Sequence, residues 1–303
     1  MALIDGDMSR DLTGADLASE ATIPFKVLDT SSLNIGDLRG IWGSDATHVW
    51  AVSTGGNSII YWDGNLWTTQ NVGGGFYAIY GFDRSNVWVV GANKSIYQWN
   101  GSAWVPNTVS NPVPTPNFLS VWGSSVGNLW AVGNAAYRWN GIQWGPGVLP
   151  SVMLRGIWGL NASSAWRVGD SGGIEKWNGS SWSSSSSSTV QTLRAVWGSD
   201  LNNVYAVGDA HTIIKWNGTS WTEIPYPNNP IQDPTIEFNA IWGTSADNIW
   251  VAGSKGTILH WNGSTWTQNP ISPTIGLELF GIWGSDSNDI WIIGAQATLL
   301  HRP

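Results

Sequence analysis

The sequence predicts an all-β fold, a seven-bladed β-propeller with four antiparallel strands per blade. A tryptophan-rich unit recurs seven times along the 303 residues. Its length of 36 to 45 residues lies close to the range of propeller blades. Within each unit, short runs of β-branched and aromatic residues are bounded by Gly, Asn, Asp and Ser, as expected for four short strands. We name these strands a, b, c and d.

Each unit carries up to four aromatic positions, one per strand. On strand a they are Trp42, Tyr80, Trp122, Trp158, Trp197, Trp242 and Trp283. On strand b they are Trp50, Trp88, Trp130, Trp166, Tyr205, Trp250 and Trp291. On strand c they are Trp62, Trp99, Trp139, Trp177, Trp216, Trp261 and, in the last unit, His301. On strand d they are Trp67, Trp104, Trp144, Trp182, Trp221 and Trp266. All 24 tryptophans fall on these positions, so none is left over as an obvious ligand platform.

The seventh unit stops after strand c, and this predicts how the ring closes. We expect a leader at 1–21 and a propeller at 22–303, with blades starting near residues 38, 76, 118, 154, 193, 238 and 279. Phe25 lies 17 residues before Trp42, inside the 13 to 21 residues that separate a strand-d Trp from the next strand a. Residues 22–30 are therefore predicted to supply strand d of blade 7, which leaves no open sheet edge.

Spacing separates the two faces of the predicted ring. Strand a to strand b is 8 residues in every copy, and strand c to strand d is 5 in the six complete copies. The b–c and d–a spacings vary, and variable loops on a rigid scaffold usually carry binding. The b–c/d–a face is therefore predicted to be functional. Its longest loops, 105–117 and 223–237, are stiffened by several prolines. The other reading is that they are tolerated insertions.

One strand-a position, three before the aromatic, differs sharply between copies. It holds Arg39, Tyr77, Leu119, Arg155, Arg194, Asn239 and Phe280. We expect it near the propeller axis on the variable face, where three arginines could hold a carboxylate or phosphate. Alternatively, each arginine pairs with an Asp of a neighbouring blade or with a carbonyl. The candidate ligand-binding residues are Arg39, Tyr77, Arg155, Arg194 and Asn239, together with Tyr226 of the second long loop.

Composition and motifs argue against several function classes. Charged residues are only 11% of the chain and the net charge is −8, which disfavours nucleic-acid binding. No apolar run approaches the ~18 residues of a membrane span, so we expect no membrane insertion. The N-terminus lacks the features of a secretory signal. Cysteine is absent, and no HExxH, phosphate-loop or GxSxG motif occurs. We expect no catalytic residues, metal or cofactor.

Two resemblances extend this interpretation. The copies Ile241-Trp-Gly-Thr-Ser-Ala-Asp-Asn-Ile-Trp-Val-Ala-Gly and Gly256-Thr-Ile-Leu-His-Trp-Asn-Gly resemble the repeats of many bacterial tryptophan-rich propellers. They resemble more loosely the blades of photosystem assembly-factor propellers. This likeness covers 38–303 and implies the fold. Separately, Leu3-Ile-Asp-Gly-Asp-Met and the segment Leu12-Thr-Gly-Ala-Asp-Leu-Ala-Ser-Glu-Ala-Thr-Ile-Pro-Phe-Lys-Val-Leu resemble the N-terminal segments of bacteriophage tail-fibre and related virion proteins.

The second resemblance implies a non-enzymatic virion protein, structural or adhesive. Residues 1–21 would dock on other virion or assembly subunits, and the propeller would face a cell-surface glycan or protein. Two other readings stay open. One is a lectin-like or protein-interaction propeller that is extracellular or on a bacterial surface. The other is a glycoside hydrolase, which would need paired carboxylates; Glu175, Glu223, Glu237 and Glu278 form no recognisable constellation in the sequence.

Overall fold

The computed structural model describes residues 24–55, 58–109, 115–145, 148–224, 233–269 and 276–303. It confirms a seven-bladed, all-β propeller of antiparallel blades. Among the described residues, no helix reaches the length and apolar character that a membrane crossing requires.

Strands a and b of each blade form its inner half. The a strands are β2 (Leu38–Asp45), β6 (Phe76–Asp83), β10 (Phe118–Ser125), β13 (Leu154–Asn161), β17 (Leu193–Asp200), β21 (Phe238–Ser245) and β25 (Leu279–Gly284). The b strands are β3 (His48–Ser53), β7 (Asn86–Gly91), β11 (Asn128–Gly133), β14 (Ser164–Gly169), β18 (Asn203–Gly208), β22 (Asn248–Gly253) and β26 (Ile290–Gly294). The b strands are almost completely buried because they face neighbouring blades on both sides.

Strands c and d form the outer half. The c strands are β4 (Ser58–Trp62), β8 (Ile96–Trp99), β12 (Ala136–Trp139), β15 (Ile174–Trp177), β19 (Ile213–Trp216), β23 (Ile258–Trp261) and β27 (Leu299–Arg302). The d strands are β5 (Trp67–Asn71), β9 (Trp104–Asn107), β16 (Trp182–Ser184), β20 (Trp221–Glu223), β24 (Trp266–Gln268) and, from the N-terminal side, β1 (Lys26–Val27). Blade 3 alone has only three strands in its sheet among the described residues.

The N-terminal strand closes the ring as predicted. Lys26 of β1 lies opposite His301, and the pairing is antiparallel. Phe25 is 1% exposed, and its ring meets Trp250 edge-on at 5.7 Å. The strand-d residue Trp67 meets Trp291 in the same way at 5.3 Å. Phe25 therefore fills the strand-d aromatic position of blade 7.

The aromatic register predicted for blade 7 is wrong by one residue. His301 pairs with Trp291, as His260 pairs with Trp250, so both histidines stand one residue before the strand-c aromatic position. Each lies flat on its tryptophan, with ring centroids 3.7 Å apart for His301. Arg302 occupies the strand-c aromatic position instead, and its guanidinium lies 5.0 Å from the Trp250 ring. The register puts the blade-7 b-to-c spacing at 11 residues, as in four other blades.

The recurring Trp-Gly pair seals neighbouring blades together. The strand-a aromatic of one blade covers the glycine that follows the equivalent position in the next blade. A Cβ on Gly43 would lie 2.5 Å from Cη2 of Trp283, which is well inside van der Waals contact. Blade 2 carries Tyr80 instead of Trp, and there the Phe82 ring approaches Gly123. The repeat therefore needs glycine because an indole occupies the space of its side chain.

The c–d hairpins differ from the type I′ turns that Asn-Gly pairs favour. A type I′ turn needs positive φ at both central residues, and only the glycines have it, for example Gly101 at 93°. Asn100 instead accepts backbone hydrogen bonds from Ser102 and Ala103, each at 3.0 Å. Asn therefore acts through its side chain, which mimics a backbone turn.

Candidate functional site at the channel mouth

The variable strand-a residues meet in one ring, because each begins an innermost strand on the same face. We call the face formed by the b–c and d–a connections the mouth face. A shallow cavity there is lined by Arg39, Tyr77, Leu119, Arg155, Arg194, Asn239 and Phe280. Residues that stand about 40 positions apart in sequence are thus brought together by the sevenfold arrangement alone.

Carboxylates hold the arginines of blades 4 and 5 in place. Nε of Arg155 donates to Asp170 at 2.5 Å. Nε of Arg194 donates likewise to Asp209, and its Nη2 reaches Glu237 of the next blade at 2.8 Å. Each Asp follows directly on the last residue of strand b, so it lies beside the start of strand a. These guanidinium groups are about one-third exposed, so the pairs contribute modestly to stability.

Blades 1, 6 and 7 complete the ring through different contacts. The Arg39 guanidinium lies 3.7 Å from the Phe280 ring centroid and pairs with Asp37 at 3.1 Å. Asn239 donates to the carbonyl oxygen of Leu279 at 3.0 Å and approaches Glu278 at 3.4 Å. The ring is therefore tied together by contacts between side chains and between blades.

This pairing changes the electrostatics expected from the sequence. Five carboxylates, those of Asp37, Asp170, Asp209, Glu237 and Glu278, contact the three arginines and Asn239. A bound carboxylate or phosphate would therefore enter a ring that is net negative. The alternative reading expected each arginine to pair with an Asp of a neighbouring blade or with a carbonyl. Each arginine does pair with an Asp, but that Asp belongs to its own blade, whereas Glu237 reaches Arg194 from the next blade. The acidic partners were missed because they lie outside the strand-a position.

Beneath the ring, the side chains that line the channel are small or aliphatic. The ring and the two layers below it enclose a cavity of about 180 Å³. Along each strand a, the residue after the ring position is Gly, Ala or Ser. The strands approach each other closely here, since a Cβ on Gly40 would lie 3.0 Å from Cα of Ala78 in the next blade. The next layer holds seven buried aliphatic residues, Ile41, Ile79, Val121, Ile157, Val196, Ile241 and Ile282. A ligand would therefore rest on the ring at the surface, since polar groups gain nothing deeper in the channel.

The remaining sequence candidate, Tyr226, lies outside the described residues, as do the centres of both long loops, 110–114 and 225–232. His260 and His301 stack on tryptophans, and burial lowers the pKa of His260 to about 4, helped by the charge of Arg302. Within the described ranges, no three His, Asp or Glu side chains lie close enough together to hold a metal ion.

Comparison with known proteins places the chain among β-propellers. No protein-family model matches the sequence, and no curated protein sequence matches it. Solved structures do. A structure of YCF48 bound to a D1 peptide is 17% identical over 92% of this chain and 94% of that one, with a TM-score of 0.73. Virginiamycin B lyase from Staphylococcus aureus is 15% identical, covering 91% and 98%, with a TM-score of 0.78.

A third neighbour is the WD40 β-propeller domain of Doa1. It is 12% identical over 92% of this chain and 96% of that one, with a TM-score of 0.75. Identities this low show the fold alone, because propellers carry many unrelated functions. The protein is thus a seven-bladed β-propeller. The tail-fibre resemblance rests on residues that lie mostly outside the described part, and it stays a prediction.

Proposed function

We propose that this protein is a non-enzymatic binding propeller whose mouth face holds a polypeptide partner. The ring of seven unlike side chains at the mouth carries the proposal. It combines arginines with aromatic Tyr77 and Phe280 around a rigid rim, and Tyr and Arg are enriched among residues that dominate protein interfaces. Because carboxylates outnumber guanidinium groups there, the partner segment is basic or polar. The peptide-bound structure of YCF48 shows that a similar fold can hold a peptide.

The direction of β1 supports an outward-facing mouth. Leu28 donates its backbone N–H to the carbonyl of Leu299 at 2.9 Å, toward the mouth face. Phe25, at the other end, lies toward the opposite face. The chain before residue 24 therefore joins the propeller on the face opposite the mouth. We propose a virion component, tail-fibre or decoration protein, in which the leader docks on another subunit and the mouth meets a cell-surface receptor.

Binding at the mouth is tested with immobilised basic, acidic and neutral peptides and with a glycan array. We expect basic peptides to bind, and Tyr77→Ala to weaken binding about tenfold or more. The matched control is Arg84→Ala, in an exposed turn on the opposite face. Binding that is unchanged by Tyr77→Ala refutes the mouth as the site. Glycan binding without peptide binding would favour the lectin-like alternative.

The virion location has a separate test. Mass spectrometry of purified virions should find this chain in a fixed ratio to the tail proteins. Its absence from intact virions rejects that location, while the mouth-binding result stands independently.

The lyase among the structural neighbours shows that the fold can carry catalysis. None of the described ring residues is a histidine. The described carboxylates at the ring contact arginine or Asn239 and do not form a pair of carboxylates with each other. No observation at the mouth therefore favours an enzyme.

A further inference from the structure

The outer edge of blade 3 departs from the repeat. Among the described residues, its fourth segment forms no continuous strand and makes only isolated bridges, Trp139–Trp144 and Ala136–Val148 within the blade and Val109–Trp144 to the segment after blade 2. The result is a pocket of about 470 Å³, lined by Trp130, Ala136, Arg138, Asn140, Gly145 and Val148, with Gly127 at one side. Trp130 is 8% exposed, whereas the other strand-b aromatics are at most 2% exposed.

Exposed apolar side chains lie on the segments that line this pocket or directly beside its lining residues. Ile142 is 85% exposed, Leu149 63%, Val148 59% and Val126 50%. Ile142 and Val126 sit in adjoining turns, since Gly127 and Gly141 touch there. At the position of Ile142 the other complete blades carry polar residues, namely Asn65, Ser102, Ser180, Thr219 and Ser264. Exposed apolar clusters of this kind mark interaction sites in soluble proteins.

The same flank is positive in an otherwise acidic protein. Residues 84–169 contain no Asp or Glu, although the chain has 21 of them. The five cations of this stretch are Arg84, Lys94, Arg138, Arg155 and Arg167. Arg155 and Arg167 are paired with the carboxylates of Asp170 and Glu175. Arg138 is not: its Nε donates to the neutral side chain of Asn128 at 2.8 Å. Its positive charge therefore lies at the pocket without a carboxylate partner among the described residues.

We propose that this blade-3 flank, defined by Val126, Arg138, Ile142 and Val148 around the pocket, docks an acidic polypeptide segment that carries a large apolar side chain. The apolar side chain enters the pocket beside Trp130, and a carboxylate pairs with the Arg138 guanidinium. Hydrogen bonds between guanidinium and carboxylate groups are among the strongest in proteins. A nucleic acid fits less well, because phosphate binding relies on several adjacent cations and the pocket holds one.

This site is separate from the mouth. Its lining comes from strands b and c of blade 3 and from the turns and outer segment beside them, whereas the mouth ring stands at the start of the a strands. The two sites also prefer opposite charges. A failure of binding at the blade-3 flank leaves the mouth proposal intact, and the reverse also holds.

The test measures fluorescence anisotropy of a labelled peptide, Glu-Asp-Glu-Leu-Phe-Asp-Glu-Asp, titrated with the full chain. We expect saturable binding that Arg138→Gln and Ile142→Ser each weaken about tenfold or more. Gln is the residue that blade 2 carries at the position of Arg138, Gln98, so the fold tolerates it. The control is Lys215→Gln, which also replaces a cation by Gln at the same strand position, in blade 5.

Hydrogen exchange of the unmodified chain provides a second measurement that needs no variant. The peptide should protect amides within residues 136–149 and leave those of blade 6 unchanged. Absent binding, equal binding of the peptide with Ser in place of Leu-Phe, or equal losses in Lys215→Gln would each overturn the proposal. So would tighter binding of a single-stranded oligonucleotide at the same amides, which would identify a nucleic-acid site instead.

Discussion

Gly208 at the end of β18 should be intolerant of any side chain. A Cβ built on Gly208 lies 1.9 Å from the carbonyl oxygen of Thr192, the residue just before strand a of the same blade. That oxygen accepts a hydrogen bond from the backbone N–H of Asp209 at 2.9 Å. Gly208→Ala must therefore push the main chain apart, since no flexible side chain can give way. The displaced residue, Asp209, holds Arg194 at the mouth.

The expected cost follows from three contributions. Overpacking costs about 1–3 kcal/mol, and the weakened backbone hydrogen bond costs about 1 kcal/mol. Alanine restricts the unfolded chain and recovers about 0.4–1 kcal/mol. The net destabilisation is about 2 kcal/mol. For a 303-residue chain, an unfolding entropy of about 2.1 cal/mol/K per residue turns this into a Tm lower by about 3 °C.

Thermal unfolding followed by circular dichroism measures this shift, with Gly276→Ala as the control. A Cβ on Gly276 would meet nothing within 4 Å, so its Tm should stay at the wild-type value or rise by about 1 °C, because alanine restricts the unfolded chain there as well. In blade 1 the equivalent position holds Ser53, which is buried opposite Leu38. The d–a connection beside this position can therefore adopt a backbone path that leaves room for a side chain. A Gly208→Ala Tm equal to that of the control would mean that blade 5 adapts in the same way, and the steric reasoning would be refuted.

Two further predictions concern ring closure and pH. Phe25→Ala should lower the free energy of unfolding by about 3–5 kcal/mol in urea titrations, because Phe25 is buried against Trp250. The control Val27→Ala should change it little, since that side chain is 40% exposed. Equal effects of the two substitutions would contradict closure by this strand. Burial holds the pKa of His260 at about 4, while the unfolded chain binds that proton near pH 6.5. The free energy of unfolding should therefore fall as pH drops from about 6.5 to 4. In Tm measurements across this pH range, the Tm of His260→Gln should depend less steeply on pH than that of the wild type. An equally steep dependence would show that His260 takes up its proton without cost in the folded state.

Periodicity made most of the fold predictable. Each blade buries its aromatic positions against the next blade, so the repeat in sequence reports a repeat in packing. The same logic placed Phe25 on the last blade, because its spacing to Trp42 matches that of a strand-d tryptophan. It misplaced His301, which was assigned to the strand-c aromatic position because it is aromatic and stands one residue before that position. The b-to-c spacing of 11 residues, which four other blades share, would have selected Arg302.

The mouth was less predictable, although one signal was present. Arg155 and Arg194 each have an Asp 15 residues later, Asp170 and Asp209. The other blades lack an Asp at this spacing, and Arg39 uses Asp37 instead. The joint occurrence of Arg and Asp in the same two copies predicts the ion pairs. The arginine stands near the start of strand a and the Asp directly after strand b, so the two lie side by side at the mouth face. The contacts of Arg194 with Glu237 and of Arg39 with Phe280 cross between blades and have no such signature.

By itself, the sequence determined the number of blades, the strand order and the strand that closes the ring, because each depends on spacing along the chain. Only the tertiary structure decided what the variable positions do. It showed that the mouth arginines are paired with carboxylates, and that blade 3 opens a pocket beside Arg138, which has no carboxylate partner in the described part of the chain. The reason is physical: a repeat fixes which residues share a layer, but charge balance and burial depend on distances between blades that spacing does not encode.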